Sequence, residues 1–250
     1  MKHIFYIALV FLLIGCDSDK GLNCFQAAGS IVQEERSVEE FTEIVVFERT
    51  QLIIQQGETQ SVVVESGENL LNDIEVEVTE GVLEIRNDNG CNLVRDYGIT
   101  KVFVTAPNII KIRNSSGLQV ESIGTLRFPT LSLVSEDQEN EDAFHIDGDF
   151  RLDLEVESLN IVANGLSNFY LSGTATRADF GLFAGDGRIE AANLIVQNLS
   201  IFHRSTQKMI VNPQQSIRGT IYSLGDVIAK TRPPIVEMEE LFRGRLIFEQ

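Results

Sequence analysis

Short runs of alternating apolar and polar residues recur from Phe41 to Phe248, each closed by a cluster of turn-forming residues. Ile74, Val76 and Val78 fall on one side of an extended chain, and Glu75, Glu77 and Thr79 on the other. That period of two belongs to a strand with one buried face. Val62-Val63-Val64 is β-branched and predicts another strand. Glu80-Gly81 predicts a turn, and Val82-Leu83-Glu84-Ile85 a return strand. Only Glu68 to Asn72 suggests a helical turn, and no run of helical period reaches a useful length.

The second half is more regular. Turn signals at Asn164-Gly165, at Gly185-Asp186-Gly187 and at Arg204 to Gln207 each precede an alternating run. The first strand residues of these runs are Phe169, Ile189 and Met209, 20 residues apart each time, with Val227 and Leu246 continuing the series. A period near 20 built from short strands predicts a solenoid of stacked coils. Residues of equal phase then stack, which places these five in one inward column. Strands of three to five residues, with turns at near-constant intervals, favour this over a sandwich of paired longer strands. The later spacings of 18 and 19 are expected to reflect insertions at the corners. The fold class expected is all-β, a single solenoid of short strands over residues 37–250.

Composition narrows the function. With 37 acidic and 20 basic residues the net charge is −17. Nucleic-acid binding needs clustered Lys and Arg on phosphates, so that class is set aside. Fifteen Phe and no Trp predict a core of aliphatics and phenylalanine. The acidic stretch Glu136–Asp142 reads as a solvated excursion, and as one place where a partner could be met.

The N-terminus carries an address. Lys2 precedes an apolar run from Ile4 to Ile14, too short to span a bilayer comfortably and suited to a signal peptide. The run ends in Leu13-Ile14-Gly15-Cys16, which resembles the lipobox of bacterial lipoproteins. The resemblance implies cleavage after residue 15 and acylation of Cys16, and multiple acyl chains hold a protein stably on a membrane. Residues 16–36 would be the lipidated Cys and a polar tether. Asp17-Ser18-Asp19 resembles the surface-export signals of Bacteroidetes lipoproteins, and also an inner-membrane retention signal of other Gram-negative bacteria. The outer membrane or cell surface is the expected location. With Cys16 acylated, Cys24 and Cys91 remain. In an oxidising compartment they are candidates for a disulfide, the alternative being two free buried thiols.

Candidate chemistry is sparse. His145 and His203 have no Cys or His at zinc-ligand spacing and are expected to be surface or satisfied residues. Asp147, Asp149 and Asp153 are the one carboxylate cluster of interest, as weak Ca²⁺ ligands or as the acid pair of a sugar-cleaving site. On a strand Asp149, Arg151 and Asp153 share a face, and Arg151 is expected to neutralise the two acids. No cofactor motif, phosphate-binding loop or nucleophile elbow occurs.

Several pieces in order resemble the start of the head GIN domain, a family of auto-transporter adhesins of Bacteroidetes. They are Val45-Val46-Phe47, Gln51 to Gly57, Val62 to Glu65, Asn69-Leu70-Leu71, Val82 to Ile85 and Val102 to Pro107. With weaker repeats behind it, the resemblance covers residues 38–248. It implies a right-handed parallel β-helix-like fold on a secreted or lipidated chain. The chain departs from the family's Ser-Gly-Ser-Gly turns at Asn164-Gly165-Leu166 and Arg204-Ser205-Thr206. The function expected is a non-enzymatic envelope lipoprotein, held on the membrane by its acyl anchor and meeting a protein or glycan ligand. A carbohydrate-binding or carbohydrate-active β-helix is the alternative, to be judged by exposed aromatic rings.

Overall fold

The computed structural model describes residues 26–90, 96–138 and 143–249. Within these the protein is all-β, with one single 3-10 turn at Leu71–Asp73 where a helical turn was expected. Ten shorter strands come first: β1 (Ile31–Arg36), β2 (Glu43–Val46), β3 (Thr50–Gln56), β4 (Ser61–Gly67), β5 (Ile74–Thr79), β6 (Val82–Asn87), β7 (Thr100–Ala106), β8 (Lys111–Asn114), β9 (Val120–Leu126) and β10 (Thr130–Ser135). Four long strands follow: β11 (Phe150–Ala163), β12 (Asn168–Leu182), β13 (Arg188–His203) and β14 (Met209–Ile221). Three short strands close the chain: β15 (Val227–Ala229), β16 (Ile235–Glu240) and β17 (Leu246–Phe248).

Pairing organises these into two ladders that share the long strands. The first ladder runs β1, β4, β7, β3, β9, then the N-terminal parts of β11 to β14, then β15 and β17. The second runs β5, β6, β2, β8, β10, then the C-terminal parts of β11 to β14, then β16. The expected column is present. Phe150 pairs with Phe169, Phe169 with Ile189, Ile189 with Met209, Met209 with Val227 and Val227 with Leu246, all in parallel register. On the second ladder Leu83, Ile44, Ile112, Leu133, Ile161, Phe180 and Ile201 form a matching column. Both columns are buried except at Leu246, and Phe150 stacks on Phe169 at 4.9 Å and 7°.

Three expectations change. The long strands hold 13 to 16 residues, not three to five. Leu152 to Val156 and Leu159 to Ala163 read as two strands in the sequence, yet the chain crosses between the ladders without leaving extended geometry. In β12 and β14 a left-handed glycine helps the chain follow its neighbour. Gly173 has φ 103°, and a Cβ there would stand 1.9 Å from the Leu154 carbonyl oxygen. The N-terminal end is also not uniform: β1–β4, β4–β7 and β5–β6 are antiparallel. The β5–β6 hairpin turns at Glu80-Gly81, both with positive φ, the geometry of a tight two-residue hairpin loop. Finally, Ile31–Arg36 lies within the segment expected as tether but pairs with the open edge of β4.

The drift in spacing also has another origin. Between β12 and β13 the offset is 20 residues up to Tyr170 and 21 from Ser172 onward. Between β13 and β14 it is 20 at Glu190 and 18 from Asn198 onward. These shifts are β-bulges inside the strands and not insertions at the corners.

Candidate functional site

The bulges line up. Pairing slips between Arg151 and Asp153 on β11, between Tyr170 and Ser172 on β12, and between Glu190 and Ile195 on β13. Three neighbouring strands therefore break their ladders at nearly one phase, on the outer face of the first ladder. Bulges re-aim side chains and concentrate beside binding sites. Here they open a surface groove of about 380 Å³ lined by Ser122, Arg151, Asp153, Tyr170, Glu190 and Asn193 among others.

The groove's polar groups are already committed to one another. The Asp153 carboxylate accepts hydrogen bonds from the Thr125 hydroxyl and, at 3.0 Å, from the Ser172 hydroxyl. Its backbone N–H donates to Ser122 Oγ at 2.9 Å. Glu190 pairs with Arg188. Arg151 lies over the Tyr170 ring, 4.6 Å from its centroid. It makes no ion pair among the described residues, so the expected neutralisation of Asp149 and Asp153 does not occur. Neutral donors on neighbouring coils reach those carboxylates instead. Asn193, exposed in the groove lining, keeps its amide free for a ligand.

The three aspartates do not converge. Asp147 is exposed beside Gly117. Asp149 precedes β11 and staples two coils, accepting from the Asn168 backbone at 2.8 Å and from its side-chain amide at 3.0 Å. The Asp149 carbonyl accepts from Asn114 Nδ2 at 2.9 Å and from the Val120 N–H at 2.8 Å. Among the described residues no three His, Cys, Asp or Glu side chains are placed to hold a metal ion. Cys16, Cys24 and Cys91 lie outside the described residues. Of the acidic stretch, Glu136 meets Arg113 at 2.7 Å and Asp137 accepts from Asn164 Nδ2 at 2.8 Å, so its start folds back onto the coils.

The histidines part company. His145 is at the surface, with Nε2 3.1 Å from Glu48. His203 is fully buried, on the ladder position after Leu182, and neither ring nitrogen makes a well-formed hydrogen bond. It is therefore not the satisfied residue expected. Burial lowers its pKa below the ordinary value. Backbone groups of Gln207 and Gly225 and the Asp226 carboxylate oppose that more weakly.

Sequence reasoning singled out Arg151 and Asp153 but missed Tyr170, Glu190 and Asn193. A signal existed. The distance from Phe150 to Phe169 is 19 residues and that from Phe169 to Ile189 is 20, which marks an extra residue in that coil.

The family described as "Putative auto-transporter adhesin, head GIN domain" matches residues 40–233. The chain belongs to this family. The head GIN domain match runs from just before β2 to just before β16, so the last coil, with β16 and β17, lies beyond it. Among solved structures, the chain is similar to a "putative adhesin" from Bacteroides fragilis. That match has 20% identity and a TM-score of 0.76, over 88% of this chain and 97% of that one. It is also similar to a "putative lipid binding protein" from Parabacteroides distasonis, at 15% identity and a TM-score of 0.61, over 89% and 98%. A "putative adhesin" from Parabacteroides merdae shares 17% identity and a TM-score of 0.60, over 89% and 97%. At such identities the likeness is one of fold. Comparison with curated proteins finds no match.

Proposed function

We propose that this chain is a lipid-anchored protein of the cell envelope, held by acylated Cys16 at the outer membrane or cell surface. Its head GIN domain is a right-handed parallel β-helix-like solenoid and acts as a non-enzymatic adhesion or interaction module. The observation that carries this reading is the commitment of the groove's carboxylates. Asp149 and Asp153 hold coils together through Asn168, Thr125 and Ser172. A glycosidase needs two carboxyl groups free to trade protons or attack a sugar carbon. The near-constant parallel register from Phe150 to Leu246 supports the solenoid, and the family description supports adhesion.

Carbohydrate binding is the second reading, and the groove with Arg151, Tyr170 and Asn193 is the observation in its favour. The aromatic rings count against it. Sugars stack on open ring faces, and Tyr170 has one face under Arg151 while Phe183 and Phe202 stack on each other at 5.0 Å.

Deleting the gene in its source cell, then restoring the wild-type chain or Cys16→Ser, tests the proposal. Attachment to protein-coated surfaces should fall on deletion and return with the wild type only. Unchanged attachment on deletion would refute the adhesive role. Separately, Cys16→Ser should abolish incorporation of a lipid probe, and persistent labelling would refute the anchor. A reproducible glycan-array hit lost in Asn193→Ala would favour the second reading.

A further inference from the structure

The C-terminal ends of the second-ladder strands lead into one corner of the stack, built from turns 164–167, 183–187, 204–208, 222–226 and 241–245. Each turn is bonded to the one before it: Asp186 N–H to Gly165 O, Thr206 N–H to Gly185 O, Gly225 N–H to Ser205 O, and Gly244 N–H to Ser223 O. Turn tips usually go to Gly, Asn, Asp and Ser, whose side chains suit the backbone and water. This corner instead exposes Leu166, Phe183, Tyr222, Leu224, Leu241 and Phe242, the last two at 55% and 56%. These are six of the thirteen large apolar side chains exposed among the described residues, so the apolar surface is gathered and not scattered. Phe202 joins the strip, stacked 5.0 Å from Phe183 and 6.0 Å from Tyr222. Five turns at a strand spacing of about 4.8 Å give a strip roughly 19 Å long. Contiguous apolar surface of this kind marks an interaction site.

Charge on the corner opposes that of the whole molecule. Turns 204–208, 222–226 and 241–245 hold Arg204, Lys208, Arg243 and Arg245 against one carboxylate, Asp226, in a chain of net charge −17. Asp226 accepts the Arg245 backbone N–H, and Arg245 approaches Glu240 at 3.5 Å. Arg204, Lys208 and Arg243 are exposed and make no ion pair among the described residues.

We infer that this corner is a docking surface for an anionic lipid bilayer. Apolar and aromatic side chains beside unpaired cations match the boundary between acyl chains and anionic headgroups. Other occupants fit less well. A second copy would set cationic strip against cationic strip. A glycan would find the rings of Phe183 and Phe202 turned face to face. A peptide adding as a strand needs an unpaired backbone edge, and the turns here already bond to one another. The net charge of −17 is repelled by an anionic surface, but screening confines that field to about 8 Å at physiological salt, leaving the local cations to decide. This inference does not depend on acylation at Cys16.

The chain has no Trp, so single Trp residues make clean probes. Phe242→Trp reports from the strip. Ile110→Trp, exposed before β8 and so at the other end of the second-ladder strands, serves as control. The full chain is reconstituted in vesicles of neutral and anionic phospholipid with brominated acyl chains. Phe242→Trp should shift to the blue and be quenched severalfold more than Ile110→Trp. The quenching should weaken in vesicles of neutral lipid alone. It should also weaken with Arg204→Glu and Arg243→Glu combined, since each surface cation favours an anionic membrane by about fivefold. Equal quenching at the two positions would overturn the inference. So would a blue shift that rises with protein concentration without quenching, which would assign the strip to a second copy. Quenching unchanged by lipid charge and by both Arg substitutions would overturn it too.

Discussion

Phe169→Ala tests whether the column of equal-phase residues holds the coils together. Phe169 is fully buried, paired in register with Phe150 before it and Ile189 after it. Its ring stacks on Phe150 at 4.9 Å. Truncation removes the ring from a site closed by strands on both sides, so the surroundings have little room to collapse. A buried Phe→Ala change costs about 3–5 kcal/mol, and the stacked pair adds about 0.5–1.5 kcal/mol. A loss near the top of the first range is expected. Leu246→Ala removes a residue of the same column at its exposed end, where no further coil covers it. With the side chain only half buried and no closed cavity left behind, the loss should be about 1 kcal/mol. Urea unfolding of both variants, followed by far-UV circular dichroism, gives the two differences. The ratio is the informative quantity. Equal losses would refute the claim that burial by flanking coils sets each residue's contribution. A loss below about 1 kcal/mol for Phe169→Ala would refute the column itself.

Two further outcomes follow from single residues. His203 is buried neutral with a lowered pKa, so the unfolded chain takes up a proton that the folded one resists. Stability should be complete above the ordinary histidine value near 6.5 and fall as pH drops below it, by at most about 1.4 kcal/mol per pH unit. His203→Leu should flatten that slope in thermal melts between pH 5 and 7.5, and an unchanged slope would exclude His203 as its source. Gly173→Ala places a Cβ against the Leu154 carbonyl and should cost at least about 2 kcal/mol. Gly81→Ala, with φ 79° and open space around it, should cost about 1 kcal/mol, and a reversed order in denaturant melts would contradict the close approach.

Much of the fold was legible because its determinants are local. Alternation in Ile74 to Thr79 and in Val82 to Ile85 set those strands, and Glu80-Gly81 set the turn between them. The 20-residue spacing gave the column Phe169, Ile189, Met209, Val227, Leu246 in its true register. What stayed hidden depends on neighbours in space. Nothing within Ile31–Arg36 announces that the open edge of β4 will take it as a strand. The apolar residues of the corner turns were visible one by one, but only stacking shows that Phe183, Tyr222 and Leu241 fall in line. The groove was half legible. Arg151 and Asp153 share a strand face, whereas Tyr170, Glu190 and Asn193 arrive from other coils through slipped pairings. His203 has the same cause, since its burial follows from what the next coil lays over it.

The constant offset between β11 and β12 bears on how such a domain could change in size. From Phe150 paired with Phe169 to Ala163 paired with Leu182, every partner lies 19 residues ahead. The next two junctions change offset partway along and cannot be copied without carrying the shift with them. Duplication of residues 150–168 would therefore insert one extra layer whose upper and lower surfaces both match what they meet. The domain would lengthen by a single strand spacing, about 4.8 Å, with its turns still aligned. Growth by tandem copying has one permissive joint in this half of the molecule, and the bulged coils beyond it fix everything else at its present length.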